Sequence, residues 1–181
     1  MSSSFERLGS ELVYDGKFIS VTRDRFRYED GEEASRELVR HPGAVGVVVL
    51  DDQDRLWFVR QPREAVDLPD MLEIPAGKID VEGEDPLATA KRELAEEIGK
   101  QATGWESLGS FFTSPGFADE EIHLYLATGI SDVDEHPEVE ENERIEIETR
   151  PLSDLDAILT ETKDSKTLVA LYRLRDRLAR S

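Results

Sequence analysis

At 181 residues the chain is one domain's worth of sequence, domains running to about 100–200 residues. Lys and Arg number 22 against 41 Asp and Glu, a formal charge of −19 whose field repels polyanions and excludes nucleic acid as a natural partner. With no cysteine, disulfides, thiolate metal sites and a cysteine nucleophile are excluded, so a metal would be held by oxygen or imidazole, which favours hard cations.

The opening MSSSFERLGSE carries no basic segment followed by an apolar run, and no later stretch is apolar enough to span a bilayer; the expectation is a cytoplasmic protein without a membrane partner. Residues 11–21 and 21–33 mix polar and apolar side chains around the turn signals Asp15-Gly16 and Asp30-Gly31, which predicts short antiparallel strands within a distinct N-terminal region, 1–40. AVGVVVL (44–50) and LWFV (56–59) flank the polar DDQDR and read as a hairpin. The following RQPREAVDLPD looks too interrupted by proline for a regular element, and MLEIPAG (71–77) leads to a helix over about 85–98. SLGSFFT (107–113) and EIHLYLATG (121–129), where Ile122, Leu124 and Leu126 alternate with His123 and Tyr125, read as half-buried strands. Between them and a strand near 144–149 lies an acidic stretch, 131–148, expected to be a mobile loop. From Asp164, Leu168, Leu171, Leu174 and Leu178 recur at three and four beside arginines, which predicts an amphipathic C-terminal helix.

The helix at 85–98 carries the chemistry. Asp85 suits the N-cap, Pro86 the first helical position and Gly99 the C-terminal stop. Leu87, Ala90, Leu94 and Ile98 form the stripe to be buried. Glu93, Glu96 and Glu97 stand at i, i+3 and i+4, so three carboxylates project from one neighbouring face. A solvated acidic face explains a bare carboxylate pair well enough. It does not explain a glycine loop before the helix, an arginine directly before the first glutamate and a glycine two residues after the last.

Gly77, Glu84, Arg92, Glu93, Leu94, Glu96, Glu97 and Gly99 follow, in order, the fixed residues of the Nudix box. The chain thus resembles the Nudix hydrolases, with two departures: six residues instead of five separate Gly77 from Glu84, and Lys100 stands at the last apolar position. The resemblance implies an α/β fold, a Nudix-type α/β/α sandwich with a mixed sheet over 41–181 and a small N-terminal antiparallel strand region. It implies Mg²⁺, with Mn²⁺ possible, held by Glu93, Glu96, Glu97 and the Ala76 carbonyl, and Arg92 orienting the glutamates. Divalent cations neutralise a pyrophosphate and activate the water that attacks it.

Within the family the chain is most similar to the ADP-ribose pyrophosphatases. Pro115 lies 16 residues after Gly99 in SPGFADE (114–120), as in that subgroup, and implies substrate contacts from Pro115, Gly116, Phe117 and Glu120. Gln61-Pro62-Arg63 resembles a substrate-contacting Gln-x-Arg, with Arg63 suited to phosphate. The subgroup's general base comes from an acidic loop, which points to Glu143, with Glu141 as the rival. The N-terminal strands look like those exchanged across a homodimer. Phe18, Phe26 and Tyr28 are candidates for stacking on a base. His41, His123 and His136 have no partners at a catalytic spacing. The expectation is Mg²⁺-dependent hydrolysis of ADP-ribose to AMP and ribose 5-phosphate. The alternatives are hydrolysis of nucleotide sugars or other nucleoside diphosphate derivatives, and a Nudix-fold sensor that binds without hydrolysing.

Overall fold

The computed structural model describes residues 4–81, 83–134 and 144–180. Glu141, Glu143 and His136 lie outside the described residues. The chain divides into two compact units, 1–43 with 112–121, and 44–111 with 122–181.

In the first unit β1 (Phe5–Asp15), β2 (Ser20–Tyr28) and β3 (Glu33–Arg40) form an antiparallel meander in the order β1-β2-β3. Its turns fall at the two Asp-Gly signals, and Gly31 takes the positive φ of +85° that its turn requires. Phe26 is buried and meets Phe5 edge to face at 5.4 Å, so it serves this sheet as core. The segment 112–121 is tied to β3 by backbone bonds: Val39 N donates to the Phe117 carbonyl at 2.7 Å and Asp119 N to the Val39 carbonyl at 3.2 Å.

The second unit is a seven-stranded mixed sheet with helices against both faces. Its strands are β4 (Ala44–Leu50), β5 (Arg55–Arg63), β6 (Leu68–Glu73), β7 (Ala76–Lys78), β8 (Lys100–Phe112), β9 (Glu121–Asp132) and β10 (Glu146–Pro151). The main order is β10-β5-β4-β9-β8, with β6 on β5 and β7 on β4; β4 and β9 are parallel. The helices are α1 (Pro86–Ile98), α2 (Leu155–Glu161) and α3 (Ser165–Leu178).

A central strand covered on both faces has no polar side to keep, which is why β4 is an unbroken apolar run. Its alternation sorts the core: Val45, Val47 and Val49 pack with Ala90, Leu94 and Ile98 of α1, whereas Val48 packs with Ile158 of α2 and with Ala170, Leu171 and Leu174 of α3. Burying each such side chain is worth about 1.5–3 kcal/mol.

Two local expectations are corrected. The proline-interrupted stretch after Val59 is regular after all: β5 runs on through Gln61-Pro62-Arg63, and a register shift between Gln61 and Arg63 against β6 accommodates the proline that cannot donate to the ladder. Helix α2 was not anticipated, because seven residues with only Leu155 and Ile158 buried show no period. Among the described residues no helix is long and apolar enough to cross a membrane.

Candidate active site

The site is built where α1 lies beside β7. The helix starts and stops as its sequence dictates: the Asp85 side chain accepts from Leu87 N at 3.1 Å, and Gly99, at φ 64°, caps the far end. With Ala90, Leu94 and Ile98 pinned into the core, the rotation of α1 is settled, and Glu93, Glu96 and Glu97 come to one side. The short strand β7, paired with β4 at Ala44, Val45 and Gly46, then passes close to them.

That approach is tight. A Cβ at Gly77 would fall 1.9 Å from the Glu93 carboxyl carbon and 2.2 and 2.3 Å from its oxygens, so only glycine lets the strand lie against this carboxylate. Ala76 N donates to Glu97 Oε2 at 2.9 Å, which fixes the second carboxylate from the same strand. Arg92 gathers the rest: its Nη1 donates to Glu93 Oε1 at 2.8 Å and Glu96 Oε2 at 2.9 Å, and its Nη2 lies 3.3 Å from Glu84 Oε2 and 3.4 Å from Asp80 Oδ1.

Burial disfavours the charge on Arg92, yet Glu93, Glu84 and Glu96 outweigh it and hold the guanidinium more firmly protonated than usual. Glu84 is held below the usual carboxylate range by the Thr89 hydroxyl, which donates to it at 2.8 Å, and by Arg92. The Arg92 Nε is buried and has no hydrogen-bond partner, so the arrangement around this arginine leaves one donor unmet.

These residues fit a divalent cation. The donors are all carboxylate or carbonyl oxygens, as a hard cation requires. The side chain missing at Gly77 leaves the Glu93 carboxylate open to the strand backbone. Among the described residues no three carboxylates or imidazoles already converge on one point, since Arg92 lies among them. Arg92 bonds to two of the three glutamates, Glu93 and Glu96.

Arg63, in the same unit, makes a two-pronged bond to Glu73: Nε to Oε1 at 2.5 Å and Nη2 to Oε2 at 2.6 Å. Glu73 is fully buried at the end of β6 and also takes Lys166 Nζ from α3. Burial opposes its ionisation, but Arg63 and Lys166 hold its carboxyl below the usual range. The sequence reading missed Glu73 and Lys166. The available signal was a charge inside the apolar run of MLEIPAG, which cannot be buried unpaired.

The other expected substrate residues, Pro115, Gly116, Phe117 and Glu120, belong to the first unit. Ser114 to Ala118 form a turn in which the Ser114 carbonyl accepts from Phe117 N at 3.0 Å and Ala118 N at 2.9 Å, leaving Phe117 exposed. Glu120 accepts from the Thr113 hydroxyl at 2.7 Å. Asp119 anchors the turn: its Oδ1 accepts from His41 N at 2.9 Å and its Oδ2 from Arg40 at 3.0 Å, and Arg40 continues at 2.6 Å to the fully buried Asp24. His41 thus serves the loop through its backbone.

The model of the NUDIX domain matches residues 40–172. A methanol dehydrogenase activator of Bacillus methanolicus is 37% identical over 179 residues, 97% of this chain and 96% of its own. An ADP-ribose pyrophosphatase of Bacillus subtilis is 36% identical over 170 residues, 93% of this chain and 91% of its own. A crystal structure of an ADP compounds hydrolase superposes with a TM-score of 0.83 at 22% identity, covering 97% of this chain and 94% of that one, and shares the fold. The spacing from Gly77 to Gly99, the helix face it builds and relatives matched over almost their whole length agree, and this chain belongs to the Nudix family.

Proposed function

We propose that the protein hydrolyses the pyrophosphate of ADP-ribose, releasing AMP and ribose 5-phosphate, with Mg²⁺ as its ion and Mn²⁺ as a substitute. The observation that carries this reading is the face of Glu93, Glu96 and Glu97 laid against the Gly77 backbone and gathered by Arg92. The substrate is supported by the similarity to the Bacillus subtilis ADP-ribose pyrophosphatase along nearly the whole chain. When bound, the ions neutralise the pyrophosphate and activate water.

Glu93, Glu96, Glu97 and the Ala76 carbonyl hold the ions, and Arg92, bonded to Glu93 and Glu96, orients the glutamates. Arg63 takes a substrate phosphate through the edge of its guanidinium that Glu73 leaves unused. Pro115, Gly116, Phe117 and Glu120 contact the rest of the substrate. Glu143 takes the proton from the attacking water and Glu141 helps to position the segment that carries Glu143; both assignments come from the resemblance to the subgroup, whose base follows the box in an acidic segment. Two copies associate through their N-terminal sheets, where Leu12, Val13, Tyr14, Phe18 and Ile19 are 40–59% exposed. The absence of cysteine suits the cytoplasm.

A sensor that binds without hydrolysis has no use for a complete set of three glutamates. A substrate panel with Mg²⁺ is the test: kcat/KM should be highest for ADP-ribose, and a nucleotide sugar in first place would move the assignment to that substrate.

A further inference from the structure

Glu73 is an expensive residue to keep. Its carboxylate is completely buried, and it is satisfied by two cations from different elements, Arg63 at the end of β5 and Lys166 in the first turn of α3. Lys166 is shared at 3.1 Å with Asp164, which also accepts from Thr167 N and its hydroxyl, and that hydroxyl accepts from Ile74 N at 2.9 Å. The start of α3 is thereby locked to the residues that follow β6, two positions before Ala76.

Stability alone does not account for such a group, because well-packed apolar residues generally serve a core as well as a buried ion pair or better. The geometry does suggest a use. Lys166 and the core clasp Glu73 and remove its freedom, whereas the Arg63 side chain remains 42% exposed. The two bonds to Glu73 consume Nε and one Nη2 hydrogen, and no group among the described residues takes a bond from Nη1. An exposed arginine normally samples many rotamers and loses that freedom on binding. This one is already fixed by Glu73 with one edge presented.

We propose that Glu73, held by Lys166, is a positioning residue that presets the Arg63 guanidinium for a phosphate of the substrate. The proposal rests on the reading of Arg63 as a phosphate contact. Glu73 itself touches no substrate; it lowers the ordering cost of an arginine that does.

The test is calorimetric titration with ADP-ribose in EDTA, so that nothing is turned over, on the wild type and on Glu73→Gln, Arg63→Lys and the double variant, with melting temperatures recorded. Glu73→Gln should weaken binding about tenfold, the lower end of what supporting contacts around a site contribute. The double variant should bind no more weakly than Arg63→Lys, since Glu73 acts only through Arg63. Should Glu73→Gln not fold, Glu73→Asp keeps the buried charge but shortens the reach, and it should weaken binding while melting near the wild type. Wild-type affinity in a folded Glu73 variant overturns the proposal, and so do additive losses in the double variant, which would mark a structural role. If the wild type binds ADP-ribose but never cleaves it when Mg²⁺ is added, the hydrolase reading falls and this one stands. If the wild type does not bind ADP-ribose in EDTA, this proposal falls, and release of AMP with Mg²⁺ decides the hydrolase reading separately.

Discussion

Charge placement at single residues carries most of the chemistry. Glu93, Glu96 and Glu97 repel one another on a single helix face, and Arg92, Ala76 N and the space at Gly77 are what keep them there. Glu97→Gln keeps the size and retains an oxygen that can accept from Ala76 N. It should cost at least about 100-fold in kcat, the upper end for lost support around a metal, while the melting temperature holds. Unchanged turnover removes Glu97 from the ligand set. Glu143→Gln should lower kcat by about 10²–10⁴-fold, the range of general-base catalysis, with little change in KM. Glu141→Gln should cost far less, and steady-state kinetics that reverse this order hand the base to Glu141.

The elements determine whether those charges meet. Helix α1 was legible from sequence because every signal for it is local: Asp85 and Pro86 open it, Gly99 closes it, and the Ala90-Leu94-Ile98 stripe turns it. β4 was legible as a run of buried valines. What could not be read depends on partners distant in sequence. β5 persists through Pro62 because β6 and β10 flank it and the register shift absorbs the proline. The segment 112–121 clusters with the N-terminal sheet through Val39 and Asp119, contacts that nothing in SPGFADE announces. Glu73 was visible only as a charge in an apolar stretch, without a hint that Arg63 and Lys166 pair with it. The approach of β7 to α1 yields a sharp prediction. Gly77→Ala drives a methyl into the Glu93 carboxylate, the far end of a flexible side chain, so that carboxylate must swing out of its place against β7. Because a side chain tip can give way, the melting temperature should hold, whereas activity should fall with the Glu93 carboxylate displaced. A variant with normal turnover would show that the approach of β7 has no part in the site.

For the whole molecule, the −19 charge disfavours polyanionic partners, and under the proposed function a dianionic substrate is attracted locally, by Arg63 and by ions on the glutamate face. The exposed apolar side chains from Leu12 to Ile19 argue for a second copy on the N-terminal sheet. Light scattering at low micromolar concentration should report about twice the 20.5 kDa chain mass, and an active monomer would contradict the exchange of strands. The central claim, hydrolysis of ADP-ribose by ions held on the glutamate face, is tested most directly by following AMP during incubation with ADP-ribose and Mg²⁺, with and without excess chelator. AMP should accumulate with the ion and stop when it is removed. No AMP at all, or AMP formed equally in the presence of chelator, would contradict the account.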